Sequence, residues 1–447
     1  MRPRPGRALG LVERATRARE IALVVGRIYL GLRAQRWVED VLGPPDMERR
    51  WLRQHEANAR DLYRAATGLG GLILKASQFL GARADLLPPP YVERLGRLQD
   101  RVPSRPFAVM RRVVEHSFGR DLHRVFSTFD ETPLAAASLA QVHAAVLQDG
   151  RAVAVKIQYP EMAALVRSDL ANLRVLFGAI DWLERDFDLA PLLDELADTV
   201  PAELDFVHEA HNSERIAREL AHRKDIVVPA VHWDHTTRRV LVMERIDGIP
   251  INDRGALLAA GVDPNAVAQT LAECFAEQML VNGHFHADPH PGNLMVLPPG
   301  GGHGTRLALL DFGLTKELPD RFRETALAFG TALLQGQPVQ MTDALVALGF
   351  ETRGSGDETL AAIAEALRDA MAVLGRSGGS DPEALDAIRR SVSERLRANP
   401  LVRVPHHLVL VARAIGLLAG VNASLGVEID LLATLAPYAL GIRGGGA

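Results

Sequence analysis

At 447 residues the chain is too long for one ordinary hydrophobic core, so two packed lobes are expected. A formal net charge of −4 gives no general attraction to nucleic acid. The single cysteine, Cys274, excludes an intramolecular disulfide framework and any multi-cysteine zinc site.

The first 36 residues hold nine arginines against two glutamates, and arginines stand where a secretory signal would need its apolar region. Apolar residues in "ALVVGRIYLGL" recur at helical spacing. Two readings stand: a basic amphipathic helix lying on an anionic membrane, or a helix packed on its own protein. Residues 1–125 read as helices broken at "GPPD" (43–46) and "LLPPPY" (86–91). Two strand-like runs, 139–147 and 152–159, follow as a hairpin with a Gly-containing turn. Helices are expected over 161–184 and 191–221, then a second hairpin from 227–233 and 238–246. "DGIPIND" marks the passage into a second region, where helices dominate apart from "NLMVL" and "RLALLDF" on either side of the turn at 298–304.

Cys274 lies in the amphipathic pattern "VAQTLAECFAEQML", where a free thiol is expected to be buried and inert. "HLVLVARAIGLLAGVNASLGVEI" is interrupted by Arg413, which leaves an uncharged run shorter than the ~20 residues of a membrane span. It reads as a buried helix, and the tail "GIRGGGA" reads as a loop. The fold class expected is α+β: a bilobal protein-kinase-like fold with a small mixed β-sheet N-lobe, a helical C-lobe and an N-terminal helical extension. The expected boundaries are 1–125, 126–246 and 247–447.

Phosphoryl transfer from ATP needs a cation on the phosphates, side chains that hold Mg2+, and a group that positions the nucleophile. "HADPHPGN" places Asp288 and Asn293 five apart, with His286 ahead of them, the spacing of a kinase catalytic loop. Asp288 would orient the attacking hydroxyl or water, Asn293 would bind Mg2+, and Asp311, opening "DFG", would bridge metal and phosphates. Lys156, in the alternating strand "AVAVKIQ", matches the strand lysine of kinases, with an exposed edge lysine as the alternative. Glu209 is the best-placed partner for it, with Glu203 and Asp205 earlier on the same segment. Ala136, Ala137, Ser138 and Gln141 on the covering hairpin, and Met243 and Glu244 on the strand 238–246, are assigned to the nucleotide. The covering loop "LAAASLAQVH" has no glycine and should be stiff, although its N–H groups and the Ser138 hydroxyl can still meet phosphate oxygens. His284, His286 and His290 are expected to fix backbone by hydrogen bonds rather than to close a zinc site. "LTKELPDRFRETALAFG" runs quickly into helix and carries no A-P-E, which argues against general protein kinase activity.

"KASQ" (75–78), "AAASLAQVH" (135–143), "VAVKIQYP" (153–160), "ELDF" (203–206), "HADPHPGN" and "DFG", in that order, resemble the UbiB/AarF/ADCK family of atypical kinase-like proteins. The resemblance implies ATP and Mg2+ as cofactors, ATPase rather than protein kinase activity, and support of isoprenoid quinone biosynthesis. It also implies that Lys75 and Gln78 belong to a K-x-G-Q motif that restrains the active site, with Glu203 and Asp205 as its E-x-D partner. This sequence departs from the pattern at Ser77, where the motif has glycine, and at Ala140, where many members have glycine, and shows no C-terminal transmembrane helices of the kind some bacterial members carry. The partners expected are a lipid or quinone precursor and quinone-biosynthesis proteins, with peripheral membrane contact, a homodimer left open and no nucleic acid. The expected location is the cytoplasm or the inner face of the plasma membrane. Two alternatives remain at this stage: a small-molecule or protein kinase, and a nucleotide-gated scaffold.

Overall fold

The computed structural model describes residues 10–81, 87–99, 104–183, 190–300, 302–352, 358–377, 401–403 and 406–427, with single positions 429, 434, 437 and 438. The tail 441–447 and the first nine residues lie outside the described residues, as do position 86 of "LLPPPY" and position 301 of the glycine-rich turn. The fold is α+β and kinase-like. The chain divides into two compact units, the first made of residues up to Arg215, Pro229–Ile246 and Asp311–Leu314. The second comprises Ile216–Val228, Asp247–Leu310 and the described residues from Thr315 onward.

The first unit opens with α1 (Leu11–Leu42), α2 (Met47–Leu69), α3 (Gly71–Gly81) and α4 (Pro89–Gly96). Gly43 ends α1 in the left-handed region, φ 47°, with its N–H on the Val38 and Glu39 carbonyls. These helices form the N-terminal helical region expected, and they pack onto the rest of the first unit. Ile21, Ile73 and Ala76 share one core with Leu170 and Leu173 of α7 (Met162–Leu183) and Leu196 of α8 (Ala190–Ala202). Arg17, one of the N-terminal arginines, is buried. It grips Asp169 of α7 through Nε and Nη2 at 2.7 and 2.6 Å and donates to the Leu69 carbonyl at 2.7 Å. At this point the basic helix is packed on its own protein. Its outer face exposes Leu23, Leu30 and Trp37, seven residues apart.

After α5 (Phe107–Phe118) and α6 (Leu122–Val125) comes an antiparallel sheet in the order β1-β2-β3-β5. Its strands are β1 (Phe126–Ala136), β2 (Ala140–Leu147), β3 (Ala152–Gln158) and, after the short β4 (Ile226–Val227), β5 (Val240–Glu244). The β2–β3 hairpin turns at Gly150, φ 89°. Val153, Val155 and Ile157 point into the core against Val109, Met110 and Val113 of α5. The period-2 alternation therefore sends Lys156 to the opposite face. Strand β1 was not expected: Phe126 is its only fully buried residue, and its register with β2 shifts three times.

The region 191–221 is two helices, α8 and α9 (Phe206–Glu219), with Glu203 and Asp205 in the break between them. Pro201 sits in the last turn of α8, and Asp205 starts α9 by accepting the Val207 N–H at 3.1 Å. The expected second hairpin is also corrected. Pro229 cannot donate to a ladder; Val231 makes a single bridge to Met243, and β4 pairs elsewhere.

The second unit holds a sheet of order β4-β9-β8-β6, in which β4 and β9 (Arg306–Leu309) run parallel. Strands β6 (Ile249–Pro250) and β8 (Leu294–Leu297) complete it as antiparallel neighbours. Thus the mixed sheet belongs to this unit, while the sheet of the first is antiparallel throughout. Helices α10 (Arg254–Ala259) and α11 (Pro264–Glu277) each start on an aspartate cap, Asp253 and Asp263. A π-turn, Gln278–Asn282, leads to β7 (His284–His286), which pairs with β10 (Thr315–Glu317). The remaining elements are α12 (Asp320–Leu334), α13 (Pro338–Leu348), β11 (Glu351–Thr352), α14 (Glu358–Ser377), β12 (Leu401–Arg403) and α15 (His406–Leu425). Among the described residues no helix is long and apolar enough to cross a membrane.

Candidate active site

Lys156 projects from β3 with its ammonium 2.6 Å from Glu209 Oε1 and 2.8 Å from Asp311 Oδ2. It is not an exposed edge lysine, its side chain being 12% exposed. Glu209 comes from the first turn of α9, the helix that Asp205 caps. The same helix fixes the D-F-G segment: Asn212 Nδ2 donates to the Phe312 carbonyl at 3.1 Å, and the Phe312 N–H bonds to Glu209. Asp311 Oδ1 accepts the Gly313 N–H at 2.9 Å, which sets the carboxylate's orientation. Burial pushes the Glu209 carboxyl up to about 7, opposed by the Lys156 charge and assisted by Asp311. Burial alone would lower the Lys156 ammonium, but Asp311 and Glu209 together raise it well above the ordinary lysine value, so it stays charged.

In the second unit, the catalytic-loop residues are held by a separate set of bonds. His286 Nδ1 accepts the Asp288 N–H at 3.1 Å, and Asn293 Nδ2 donates to the Asp288 carbonyl at 3.1 Å. That bond leaves Asn293 Oδ1 as its acceptor end, the atom a hard cation would need. His290 Nδ1 accepts the Gly292 N–H at 3.1 Å, and His284 Nδ1 lies 3.0 Å from Glu219 Oε2. All three histidines thus hold backbone or neighbouring side chains.

Two residues that sequence reasoning passed over act on this loop. Arg413 of α15 donates through Nη2 to Asp288 Oδ1 at 2.9 Å. A lone arginine in an otherwise apolar helix needs an anionic partner, and that was the available signal. Gln278, fully buried in the π-turn, accepts the His286 N–H at 3.0 Å and donates to the Cys274 carbonyl at 3.3 Å. π-turns concentrate at functional sites. Cys274 itself is fully buried, and burial pushes its thiol up to about 12.

The covering hairpin turns tightly at 137–140, where the Ala137 N–H reaches the Ala140 carbonyl at 2.8 Å. Ala136 and Ser138 are half-buried there and Ala137 is exposed. One expectation on this hairpin changes. Gln141 is buried and engaged elsewhere: its Oε1 accepts the Arg105 N–H at 2.7 Å, and its Nε2 lies 2.8 Å from His143 Nε2. The Ala140 methyl packs under the sheet with Phe206, Ala210 and Leu241. On β5, Met243 packs beside that cluster, and the Glu244 N–H is taken by the Ala230 carbonyl at 2.8 Å.

Lys75 on α3 is 2.7 Å from Glu203 Oε2, and Gln78 Nε2 donates to the Leu98 carbonyl at 3.0 Å. The E-x-D residues therefore divide their work, Glu203 holding Lys75 and Asp205 capping α9. Ser77 is buried at 1% exposure on the same helix.

The ABC1 atypical kinase-like domain matches residues 97–344. The mouse AarF domain-containing protein kinase 1 is 39% identical over 269 residues, 60% of this chain and 51% of the relative. The Xenopus tropicalis protein of the same name is 34% identical over 364 residues, 80% of this chain and 68% of the relative. The chain spans about half the length of several curated relatives it matches. Among solved structures, a Mycobacterium tuberculosis protein determined as an erythromycin complex superposes with a TM-score of 0.57 at 24% identity. That match covers 88% of this chain and 97% of the other, and shows a shared fold. A lysine–glutamate–aspartate cluster in one unit, a histidine-braced aspartate and asparagine in the other, and the matched domain lead to one conclusion: the chain belongs to the UbiB/AarF/ADCK (ABC1) family of atypical kinase-like proteins.

Proposed function

We propose that the chain binds Mg-ATP and hydrolyses it in support of isoprenoid quinone biosynthesis, and is not a general protein kinase. The observation that carries the nucleotide part is the Lys156 ammonium held 2.6 and 2.8 Å from two carboxylates. Such a lysine is charged and fixed, ready to bind α- and β-phosphate oxygens. Asp311 and Asn293 offer the hard oxygen donors that Mg2+ takes, and this ion needs only one or two protein ligands besides phosphate and water. When bound, the ion neutralises charge on the phosphate oxygens. Asp288 would orient the attacking water, with Arg413 fixing one of its carboxylate oxygens. Only β10 and two further residues separate Leu314 from α12, a segment too short to seat a peptide. The quinone link rests on the family, and the exposed Leu23, Leu30 and Trp37 of α1 support contact with a membrane surface.

The test is ATP turnover with and without anionic liposomes, comparing the wild type with Asp311→Asn. Mg2+-dependent turnover that liposomes raise and Asp311→Asn lowers by on the order of 100-fold is expected. Absence of hydrolysis with Mg2+ and lipid, the variant behaving identically, would sink this reading.

A further inference from the structure

The described residues hold Asp288 at its backbone and at its side chain, and different groups do the two tasks. Its N–H is taken by His286 Nδ1 and its carbonyl by Asn293 Nδ2, both at 3.1 Å. The carboxylate has one partner among the described residues, Arg413 Nη2, 2.9 Å from Oδ1. The terminal torsion of an aspartate is broad and two-fold, so the backbone bonds alone leave the carboxylate free to turn. Arg413 removes that freedom. It occupies Oδ1 and leaves Oδ2, which accepts no hydrogen bond from the described residues, as the oxygen open to a nucleophile.

The fold gains little from this arginine. Its side chain is 11% exposed, its Nε is buried and meets no acceptor among the described residues, and its sequence neighbours Val411, Ala412, Ala414 and Ile415 are apolar. Desolvating a guanidinium for a single ion pair is a poor source of stability, and apolar residues often serve a fold as well or better. A buried polar atom left unsatisfied calls for a reason other than packing. We propose that Arg413 is a positioning residue for ATP hydrolysis: it clamps Oδ1, so that Oδ2 alone receives the hydrogen bond of the attacking water. This role rests on ATP hydrolysis as the reaction, and adds which oxygen works and what selects it. Arg413 acts only through Asp288. Since α15 lies beyond the matched domain, the catalytic loop takes part of its geometry from the C-terminal region of the chain.

The experiment is steady-state ATP turnover of the full chain with Mg2+ and anionic liposomes, beside thermal unfolding without nucleotide. Arg413→Met is expected to lower kcat on the order of 10- to 100-fold, as misplacing a reacting group by about 1 Å does, and to leave KM for ATP within about twofold. Arg413→Lys, which keeps the charge and a donor, should recover part of that loss. On the residual turnover of Asp288→Ala, which has no carboxylate to place, the methionine change should have no effect. Asp288 is 25% exposed, so water can take over Oδ1 when the arginine is gone, and Arg413→Met should unfold at the wild-type temperature or above. An unchanged kcat, a loss confined to KM, or a further loss on Asp288→Ala would each overturn the proposal. So would an Arg413→Met protein that unfolds earlier or does not fold, because the arginine would then be a structural tie. A wild type that hydrolyses no ATP fails the ATPase reading and this one together; active wild type beside equally active Arg413→Met fails this one alone.

Discussion

Lys75 and Lys156 each hold a glutamate, at 2.7 and 2.6 Å, and the two glutamates are six residues apart in the chain. The surroundings differ. Lys156 faces two carboxylates and its glutamate is 3% exposed, whereas Lys75 is 24% exposed and Glu203 10%. One cluster sets two carboxylates, one of them buried, against a single ammonium; the other is a lysine–glutamate bridge nearer to water. The short break at 203–205 and the first turn of α9 thus serve both lysines: Glu203 ties α3 to the start of α9, and Glu209 holds the Lys156 ammonium beside Asp311. Desolvation, rather than distance, separates the two lysine–glutamate pairs.

The largest effect expected from breaking the comparison is that of Lys156→Met. It leaves buried Glu209 beside Asp311 with no counter-charge, and breaking such a pair costs about 3–5 kcal/mol. Urea unfolding at pH 8 measures it, and a loss below about 1 kcal/mol would show that the cluster relaxes without its lysine.

The pH dependence sharpens the same contrast. Glu209 is raised in the folded chain from 4.5 to about 7. Between those values the folded state binds a proton that the unfolded state lacks, so this group's stabilisation is complete below pH 4.5 and is lost as pH rises through about 7. Relative to Glu209→Gln, the wild type should lose on the order of 1–3 kcal/mol across that window. A constant difference between the two proteins would place no titration at Glu209.

The bridge nearer to water should respond less. A double-mutant cycle on Lys75→Met and Glu203→Gln is expected to give a coupling of about 0.5–1 kcal/mol, in the upper part of the range for exposed pairs. A coupling as large as that of the Lys156 cluster would mean that α3 and α9 form one rigid device.

The parts of this arrangement that are local in sequence were legible in it. Alternation in "AVAVKIQ" puts Lys156 on the face opposite the core, and the five-residue spacing of Asp288 and Asn293 survives as a braced loop. What tertiary packing decides was not legible. Gln141 looked like a ligand contact because it is polar and sits in the covering hairpin; burial turned it into a partner of Arg105 and His143. Strand β1 hides because an exposed edge strand has no apolar alternation to display. Arg413 meets Asp288 from 125 residues away, a distance over which spacing says nothing. Glu203 and Asp205 read as one E-x-D partner of Lys75, and only the helix break gives them separate tasks.

Asp205 offers the smallest change that still reaches both lysines. Its Oδ1 accepts the Val207 N–H at 3.1 Å, satisfying one donor that the start of α9 would leave open. Its other contact, to Arg238 at 3.4 Å, involves a side chain 83% exposed and contributes little. Asp205→Ala is therefore expected to cost about 1 kcal/mol, the usual loss of an N-cap, and Asp205→Asn clearly less because the amide oxygen still accepts. Fraying would reach Glu209 first, since it lies in the same first turn. Amide exchange at residues 207–209 should rise in the alanine variant and stay near wild type in the asparagine one. If both variants lose the same stability, the aspartate acts through its charge and not its hydrogen bond. In that case Lys75 and Lys156 are set by α9 as a whole, and the break at 203–205 only connects them.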